Sequence, residues 1–265
     1  MDYSMDPYQR LVQDLKDESD ELIELIKAER LEALTTRTPA KGWDVADSIK
    51  HLTYFDGALS LAIEDREGFE VAKKRLLAGG VEIATEEMRL LAIDKVVESF
   101  IDARSSMIAL LSTTPSNQRV PWYGPEMSAM SATSARLMET FAHGLDVYDA
   151  LGKEKPFTDR ISHICFLGSA TIAFSFVIHN LTPPTEPIYL ELVLPSGSIY
   201  SKGDQSAKNS ICGSAKDYAL LVTQRRARIS LDLVANGDIA NAYLDIAQAF
   251  AGNPSRVDPD RYDLT

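Results

Sequence analysis

The segment from Arg136 to Gly152 constrains the fold most, because it places polar and apolar side chains on adjacent stripes of one helix. Glu139, His143 and Asp146 are spaced i, i+4 and i+7, and a helix brings these positions onto one face. The adjacent stripe is apolar and contains Met138, Ala142 and Leu145. A carboxylate and an imidazole beside a core are costly unless they are paired, protonated or bound to a cation. The segment therefore predicts a helix whose polar stripe needs a partner.

Three further long segments show the apolar spacing of amphipathic helices, and they precede this one in the chain. They cover residues 7–34, 44–64 and 86–111. A shorter helix is expected over residues 69–77, where the pattern is less regular. Long helices joined by loops pack naturally as an up-down bundle, whose interior is a usual place for a metal. The sequence therefore predicts a four-helix bundle as a first domain, residues 1–155.

Capping residues predict where two of these helices begin. Asp44 is expected to cap the second helix, with Asp47 at its third position, where a negative charge favours the positive end of the helix dipole. Ser131 or Ser134 is expected to cap the fourth helix, after a loop that ends near Met130.

A second domain is expected over residues 156–265, because Gly152 followed by charged residues and Pro156 ends a helix cleanly. The expected elements are a helix over 158–179, strands over 188–194 and 199–202 that form a hairpin, and helices over 214–224 and 238–251. The run at 172–178 also fits a strand. The predicted fold class is α+β, with a helical bundle followed by a small mixed unit.

Charge and composition exclude several classes of function. The formal net charge is −12, whereas nucleic acids and anionic membrane surfaces require clustered Lys and Arg. The N-terminus is acidic where a secretory signal is basic, and no apolar run approaches the length of a membrane span. The expected location is the cytoplasm, where Cys165 and Cys212 would stay reduced and structural.

A metal site follows if His51, on the second helix, faces Glu139 and His143 across the bundle. Two imidazoles and one carboxylate bind a first-row divalent ion and leave room for water or substrate. The spacing also allows an ordinary i, i+4 pair of Glu139 with His143, with His51 buried elsewhere. The sequence contains no His-Glu-x-x-His, no pair of Glu-x-x-His motifs, and no Gly-x-Ser-x-Gly, Walker or Rossmann pattern.

Two motifs carry a family resemblance. The segment Gly42-Trp-Asp-Val-Ala-Asp-Ser-Ile-Lys-His-Leu52, followed by Glu139-Thr-Phe-Ala-His-Gly-Leu-Asp146, resembles the DinB/YfiT-like metalloenzyme superfamily. The similarity is to the branch near the mycothiol-dependent maleylpyruvate isomerase, and it covers about the first 155 residues. The wider chain resembles an uncharacterised subgroup of that branch rather than the isomerase itself.

The resemblance implies a ligand set, a second domain and a cosubstrate. The implied metal ligands are His51, Glu139 and His143 inside a DinB-like bundle. The implied second domain is sterol-carrier-like, and the implied cosubstrate is mycothiol or another low-molecular-weight thiol. An Arg of the second domain approaches the active site in such relatives, and Arg225 or Arg226 resembles that position. These two cations also suit an ordinary helix C-terminus.

Other candidates surround the motifs. Asp146 is expected either to orient a ligand imidazole or to lie on the surface. Asp47 is expected either to orient the imidazole of His51 or to serve as a negative charge in the first turn of its helix. Trp43, Trp122 and Tyr123 lie in loops at one end of the bundle, where they would line an apolar pocket or cap the core.

The function that these features favour is a metal-dependent enzyme of thiol-dependent isomerase or transferase type, acting on a small molecule. Two His and one Glu suit Zn best in such a site, while Ni, Fe and Mn are also compatible. One alternative is a non-catalytic protein that binds a metal and a small ligand. Another is a metal-free helical interaction module. The sequence leaves a homodimer open.

Overall fold

The computed structural model describes residues 5–79, 89–252 and 254–255. The chain divides into two units, Met1–Glu154 and Lys155–Thr265. The described part of the first unit is dominated by helices, and the second combines helices with a four-stranded sheet. The predicted α+β class, with a helical bundle followed by a mixed unit, is confirmed.

The main elements in the described part of the first unit are four long helices and one shorter helix. They are α1 (Pro7–Ala28), α2 (Val45–Glu64), α3 (Arg66–Gly79), α4 (Val96–Thr113) and α5 (Ala129–Ala150). Both α1 and α2 pack against α4 and α5, so each helix of the four contributes an apolar face to one core. Leu22, Ile49, Leu52, Phe100 and Val147 are almost fully buried there. Burying a side chain of this size contributes about 1.5–3 kcal/mol, which makes the apolar stripes the main source of stability.

Several predicted helix boundaries differ from the structure. The first helix ends at Ala28, and a 3-10 turn over Leu31–Thr35 follows it. The predicted helix was longer because the apolar spacing continues into this turn, where the α-helical hydrogen bonds have ended. The helix expected from residue 86 begins at Val96, after a 3-10 turn over Ile93–Lys95. Residues 86–88 lie outside the described ranges. The short helix predicted over 69–77 is longer, extending over Arg66–Gly79.

The start of α5 is a correction to the sequence analysis. Ser128, and neither Ser131 nor Ser134, caps the helix, since its Oγ accepts the backbone N–H of Ser131 at 3.1 Å. A short antiparallel pair, β1 (Arg119–Val120) and β2 (Met127–Ser128), precedes it in a segment that was expected to be entirely loop. The pairing ends at Ser128, which leaves that residue extended and suited to cap the helix.

The predicted start of α2 is confirmed. Asp44 Oδ1 accepts the N–H of Asp47 at 2.8 Å, and Asp47 Oδ2 accepts the N–H of Asp44 at 3.3 Å. This reciprocal pair satisfies two N–H groups that lack partners in the helix and fixes the first residue of α2. It thereby also fixes which side chains of α2 face the bundle interior.

A buried ionic cluster, which the sequence analysis did not predict, joins the helices of the bundle. Asp56 on α2 accepts hydrogen bonds from Arg104 on α4, at 2.6 Å, and from Arg136 on α5, at 2.9 Å. Arg104 also donates to Ser19 on α1 and to Thr140 on α5. All four helices therefore contribute to one polar layer within the apolar core.

The second unit is built on a sheet with the strand order β4-β3-β5-β6. The strands are β3 (Ile188–Val193), β4 (Ile199–Lys202), β5 (Asn209–Ser214) and β6 (Leu233–Asn236). The predicted β3–β4 hairpin is confirmed, with Val193 opposite Ile199. β5 pairs parallel to β3 and antiparallel to β6, and neither of these two strands was predicted.

Four helices accompany the sheet in the described residues: α6 (Ser162–Ala170), α7 (Ile172–Ile178), α8 (Ala215–Val222) and α9 (Asp238–Ile246). The single helix expected over 158–179 is wrong, because the chain breaks at Thr171 and bends by 52°. The run 172–178 is helical, so its alternative as a strand is excluded. The last helix ends at Ile246, five residues earlier than expected.

No single helix among the described residues combines the length and the apolar character needed to cross a membrane. The bent pair Asp159–Ala170 and Ile172–Ile178 meets that criterion jointly, by length and composition only.

Candidate metal centre

The structure brings together the three residues that the sequence singled out as metal ligands. His51 comes from α2, and Glu139 and His143 come from successive turns of α5. One ring nitrogen of each histidine and one carboxylate oxygen of Glu139 all lie within 4.8 Å of one another. The Nε2 atoms of His51 and His143 lie 3.5 Å and 3.3 Å from the same oxygen, Oε2 of Glu139. Spacing along α5 therefore supplies two of the groups, and the packing of α2 against α5 supplies the third.

These distances suit a tetrahedral metal site. Ligand atoms about 2.0–2.1 Å from a zinc ion lie about 3.4 Å apart at the corners of a tetrahedron, close to the two N···O distances here. Two imidazoles and a carboxylate are a donor set that Zn, Ni, Fe and Mn accept. The same distances also suit two histidines hydrogen bonded to one carboxylate, so geometry alone is compatible with both arrangements.

The electrostatic environment keeps His51 and Glu139 in the forms that bind metals. Burial lowers the pKa of His51 to about 4, and the neighbouring His143 acts in the same direction while Glu139 opposes the shift. Burial alone would raise the pKa of Glu139, but hydrogen bonds from His143 and His51 outweigh it and hold that pKa well below its usual range. At neutral pH His51 is therefore neutral and Glu139 ionised, which are the protonation states that metal coordination requires.

Asp146 lies behind His143 and is fully buried, which excludes its alternative as a surface residue. Its Oδ2 atom is 3.7 Å from Nδ1 of His143, and that nitrogen is buried with no hydrogen bond to any residue that the structure describes. A histidine that binds a metal through Nε2 commonly donates its Nδ1–H to a carboxylate. A metal bound to Nε2 of His143 would leave the ring proton on Nδ1, on the side of the ring where the carboxylate of Asp146 lies. Asp47, in contrast, belongs to the cap of α2.

Aromatic rings enclose the histidines. Trp43 is stacked on His143, with ring centroids 5.5 Å apart and an interplanar angle of 13°, and its centroid is 5.2 Å from that of His51. Phe55, one helical turn after His51, packs against its ring at 4.7 Å. Sequence reasoning missed Phe55, although its i+4 spacing from His51 places it on the same helical face. The ligands therefore lie in an apolar surrounding, which strengthens their electrostatic interactions.

Trp122 and Tyr123, which were expected to line a pocket or cap the core, form a second aromatic layer. Both rings contact Phe55, at 6.1 Å and 5.7 Å, and both pack on Phe69 of α3. Burial raises the pKa of the Tyr123 hydroxyl above its usual value, so that group stays neutral. Trp122 and Tyr123 thus contact Phe55, which in turn packs against the ring of His51. Their predicted role in binding a cofactor stays a prediction.

Arg225 and Arg226 belong to the second unit, directly after α8. Arg225 is 7% exposed and donates to the carbonyl of Thr223 at 2.6 Å, and Arg226 donates to the carbonyl of Arg225 at 2.8 Å. Both therefore bind carbonyls at the C-terminal end of a helix, as the structural alternative expected. An approach of either side chain to the metal ligands stays a prediction.

Comparisons with known proteins agree with the resemblance seen in the sequence motifs. The sequence model of the family described as the mycothiol maleylpyruvate isomerase N-terminal domain matches residues 15–148. Uncharacterised proteins from two strains of Mycobacterium tuberculosis are each 42% identical to the chain over 248 residues, which represent 92% of this chain and 96% of theirs.

Two crystal structures of the mycothiol-dependent maleylpyruvate isomerase share the fold. A histidine-to-alanine variant of that enzyme matches with a TM-score of 0.60 at 15% identity, and the isomerase itself with a TM-score of 0.57 at 13% identity. Each match covers 94% of this chain and 97% of the other. With both the sequence model and the fold in agreement, the chain belongs to the family of the mycothiol maleylpyruvate isomerase N-terminal domain.

Proposed function

We propose that the protein is a metal-dependent enzyme of thiol-dependent isomerase or transferase type, with a divalent ion held by His51, Glu139 and His143. The observation that carries the proposal is the convergence of three ligand atoms from two helices within 4.8 Å. The family supports the reaction class, since it is named for a mycothiol-dependent isomerase, and both solved structures that share the fold are of that enzyme. Zinc is the first choice of ion for this donor set.

Each residue around the centre has a distinct part in the proposal. A bound divalent ion would polarise a substrate oxygen and lower the pKa of a thiol. Asp146 would hold the ring of His143 in orientation through Nδ1. Trp43 packs against His143 and Phe55 against His51, and the two rings would limit the access of water to the imidazoles. Arg225 is proposed to hold a carboxylate of the substrate or of the thiol.

Metal analysis tests the site. Tag-free protein is purified as wild type, His51→Ala and His143→Ala, with His163→Ala in the second unit as a matched control, and metal per chain is measured by mass spectrometry. We expect about one ion per chain in the wild type and control, and a loss of that ion in both bundle variants. An ion content at the wild-type level in both bundle variants would overturn the proposal.

Thiol binding separates an enzyme from the alternative of a non-catalytic binding protein. Cobalt-substituted protein is titrated with mycothiol, and with dithiothreitol as a simpler thiol, while the absorption spectrum is recorded. A catalytic site keeps an open position, so we expect a sulfur-to-cobalt charge-transfer band in the wild type. A stoichiometric metal that never produces this band would favour a closed structural site. Isomerase activity is then sought with unsaturated small acids in the presence of the thiol.

A further inference from the structure

The turn of α2 that follows His51 is hydrogen bonded to a buried side chain of α5, that of Arg136. On α5, Arg136 precedes the metal ligands Glu139 and His143. We propose that Arg136 is a positioning residue, which fixes the register of α2 against α5 and so brings His51 to the two ligands of α5. The inference rests on the proposed metal-dependent function and names what holds that metal site in shape.

Arg136 spans one turn of α2 with three hydrogen bonds. Its Nε and Nη2 atoms donate to Oδ1 of Asp56 at 3.1 Å and 2.9 Å, and Nη2 also donates to the carbonyl of Leu52 at 3.3 Å. Leu52 directly follows His51 in the chain. Because the guanidinium is planar and holds its donors in a rigid fork, one group binds a side chain and the backbone of the same turn. A shift of α5 along α2 would break these bonds.

The hydrogen bonds and the metal ligands lie at matching levels of the two helices. The helices run in opposite directions, since Glu139 follows Arg136 on α5 but contacts His51, which precedes Leu52 and Asp56 on α2. At a rise of about 1.5 Å per residue, Glu139 lies about 4.5 Å beyond Arg136. His51 lies about 4.5 Å before the middle of the bonded turn. A slip of one residue would move His51 by about 1.5 Å, whereas metal–ligand distances tolerate about 0.2 Å.

Phe55 forms a second connection between the guanidinium and the imidazole. The Cζ atom of Arg136 lies 6.0 Å from the centroid of the Phe55 ring, within the range of a cation–π contact. The same ring packs on His51, with centroids 4.7 Å apart. Arg136 is therefore linked to His51 in two ways, through the backbone of the next residue and through the ring that packs on the imidazole.

Stability alone does not account for an ionic cluster at this place. A buried ion pair is often no more stabilising than apolar side chains of similar volume, because both charges lose their hydration. Apolar ridges and grooves are also compatible with neighbouring registers. Hydrogen bonds require a definite distance and direction, and fixing a register is the best-attested use of buried polar groups. The cluster thus specifies the one register in which the three ligands converge.

Two matched variants, Arg136→Met and Arg104→Met, test the proposal. Both arginines are almost fully buried and bind the carboxylate of Asp56. Among the described residues, Arg104 donates to side chains only, those of Asp56, Ser19 and Thr140. Chelator competition measures the affinity for zinc, the d–d absorption bands of the cobalt-substituted protein report the geometry of the site, and urea titration measures the stability of each variant.

We expect Arg136→Met to bind zinc about 10- to 100-fold more weakly than the wild type and to show shifted cobalt bands. Arg104→Met should keep the wild-type bands and lose much less affinity, although its urea midpoint also falls. Arg136→Lys keeps the test valid if Arg136→Met does not fold. Its amine preserves a charge beside Asp56 but lacks the planar fork, so we expect the cobalt bands to shift in this variant as well.

The possible results separate this inference from the proposed function. Wild-type affinity and wild-type bands in the folded Arg136 variants would overturn the inference and leave the metal site intact. Equal losses of affinity in Arg136→Met and Arg104→Met would also overturn it, because they would assign the effect to a general loss of stability. A wild-type protein that binds no ion would overturn the proposed function, and this inference with it.

Discussion

Neutralising Asp56 is expected to destabilise the helical bundle severely. The carboxylate is fully buried and accepts hydrogen bonds from Nε and Nη2 of Arg104, at 2.6 Å and 3.1 Å, and from Nε and Nη2 of Arg136, at 3.1 Å and 2.9 Å. Asp56→Asn keeps the shape of the side chain but removes its charge. Two guanidinium groups, on residues 1% and 3% exposed, then lose the carboxylate they share.

The magnitude follows from the burial of all three groups. Removing one partner of a buried ion pair costs about 3–5 kcal/mol, and Asp56 serves two cations, so we expect a loss of at least about 3 kcal/mol. Whole domains are stable by about 5–15 kcal/mol. With a urea dependence of about 1–3 kcal/mol/M, the unfolding midpoint should fall by at least about 1 M.

Urea titration followed by tryptophan fluorescence measures this loss. The chain has two tryptophans, Trp43 and Trp122, and both lie in the first unit, so their emission reports the unfolding of the bundle. Asp20→Asn is the matched control, because Asp20 pairs with Lys16 on the surface and such pairs contribute less than about 1 kcal/mol. An Asp56→Asn midpoint equal to that of the control would refute the reasoning.

Three further predictions concern other parts of the molecule. Asp146→Asn should weaken metal binding about 10- to 100-fold in a chelator competition, and unchanged affinity would contradict its orienting role. Ser128→Ala should cost the bundle about 0.5–2 kcal/mol in the same urea assay, and a larger cost for Ser134→Ala would contradict the observed cap. Burial raises the pKa of Cys165 to about 12, so at pH 8 its thiol should stay protonated and react with Ellman's reagent only after unfolding. Rapid labelling of both Cys165 and Cys212 in native protein would argue against that burial.

Local sequence signals predicted those parts of the fold that neighbouring residues determine. Apolar spacing identified the helices of the bundle, and Asp44, as the expected cap, predicted the first residue of α2. The i, i+4 spacing of Glu139 and His143 predicted their approach on α5. Each of these features depends on contacts within one turn of helix, which is why the sequence alone reveals them.

Long-range features escaped prediction where their signals were ambiguous. Asp56 interrupts the apolar stripe of α2, and Arg104 interrupts that of α4, but a charge in a stripe does not name its partner. The sequences of β5 and β6 lack a strong alternating pattern, and their strand character depends on pairing with β3 and with each other. The break at Thr171 likewise lies between two largely apolar stretches, 164–167 and 172–178, and no Pro marks it.

The sequence by itself determined the helical bundle, the mixed second unit, the family and two candidate ligands on one helical face. Only the tertiary structure placed His51 beside Glu139 and joined Asp56 to two arginines. The physical reason is that periodicity and capping act between residues a few positions apart. The approach of α2 to α5 instead depends on how entire apolar faces pack together, which no single segment encodes.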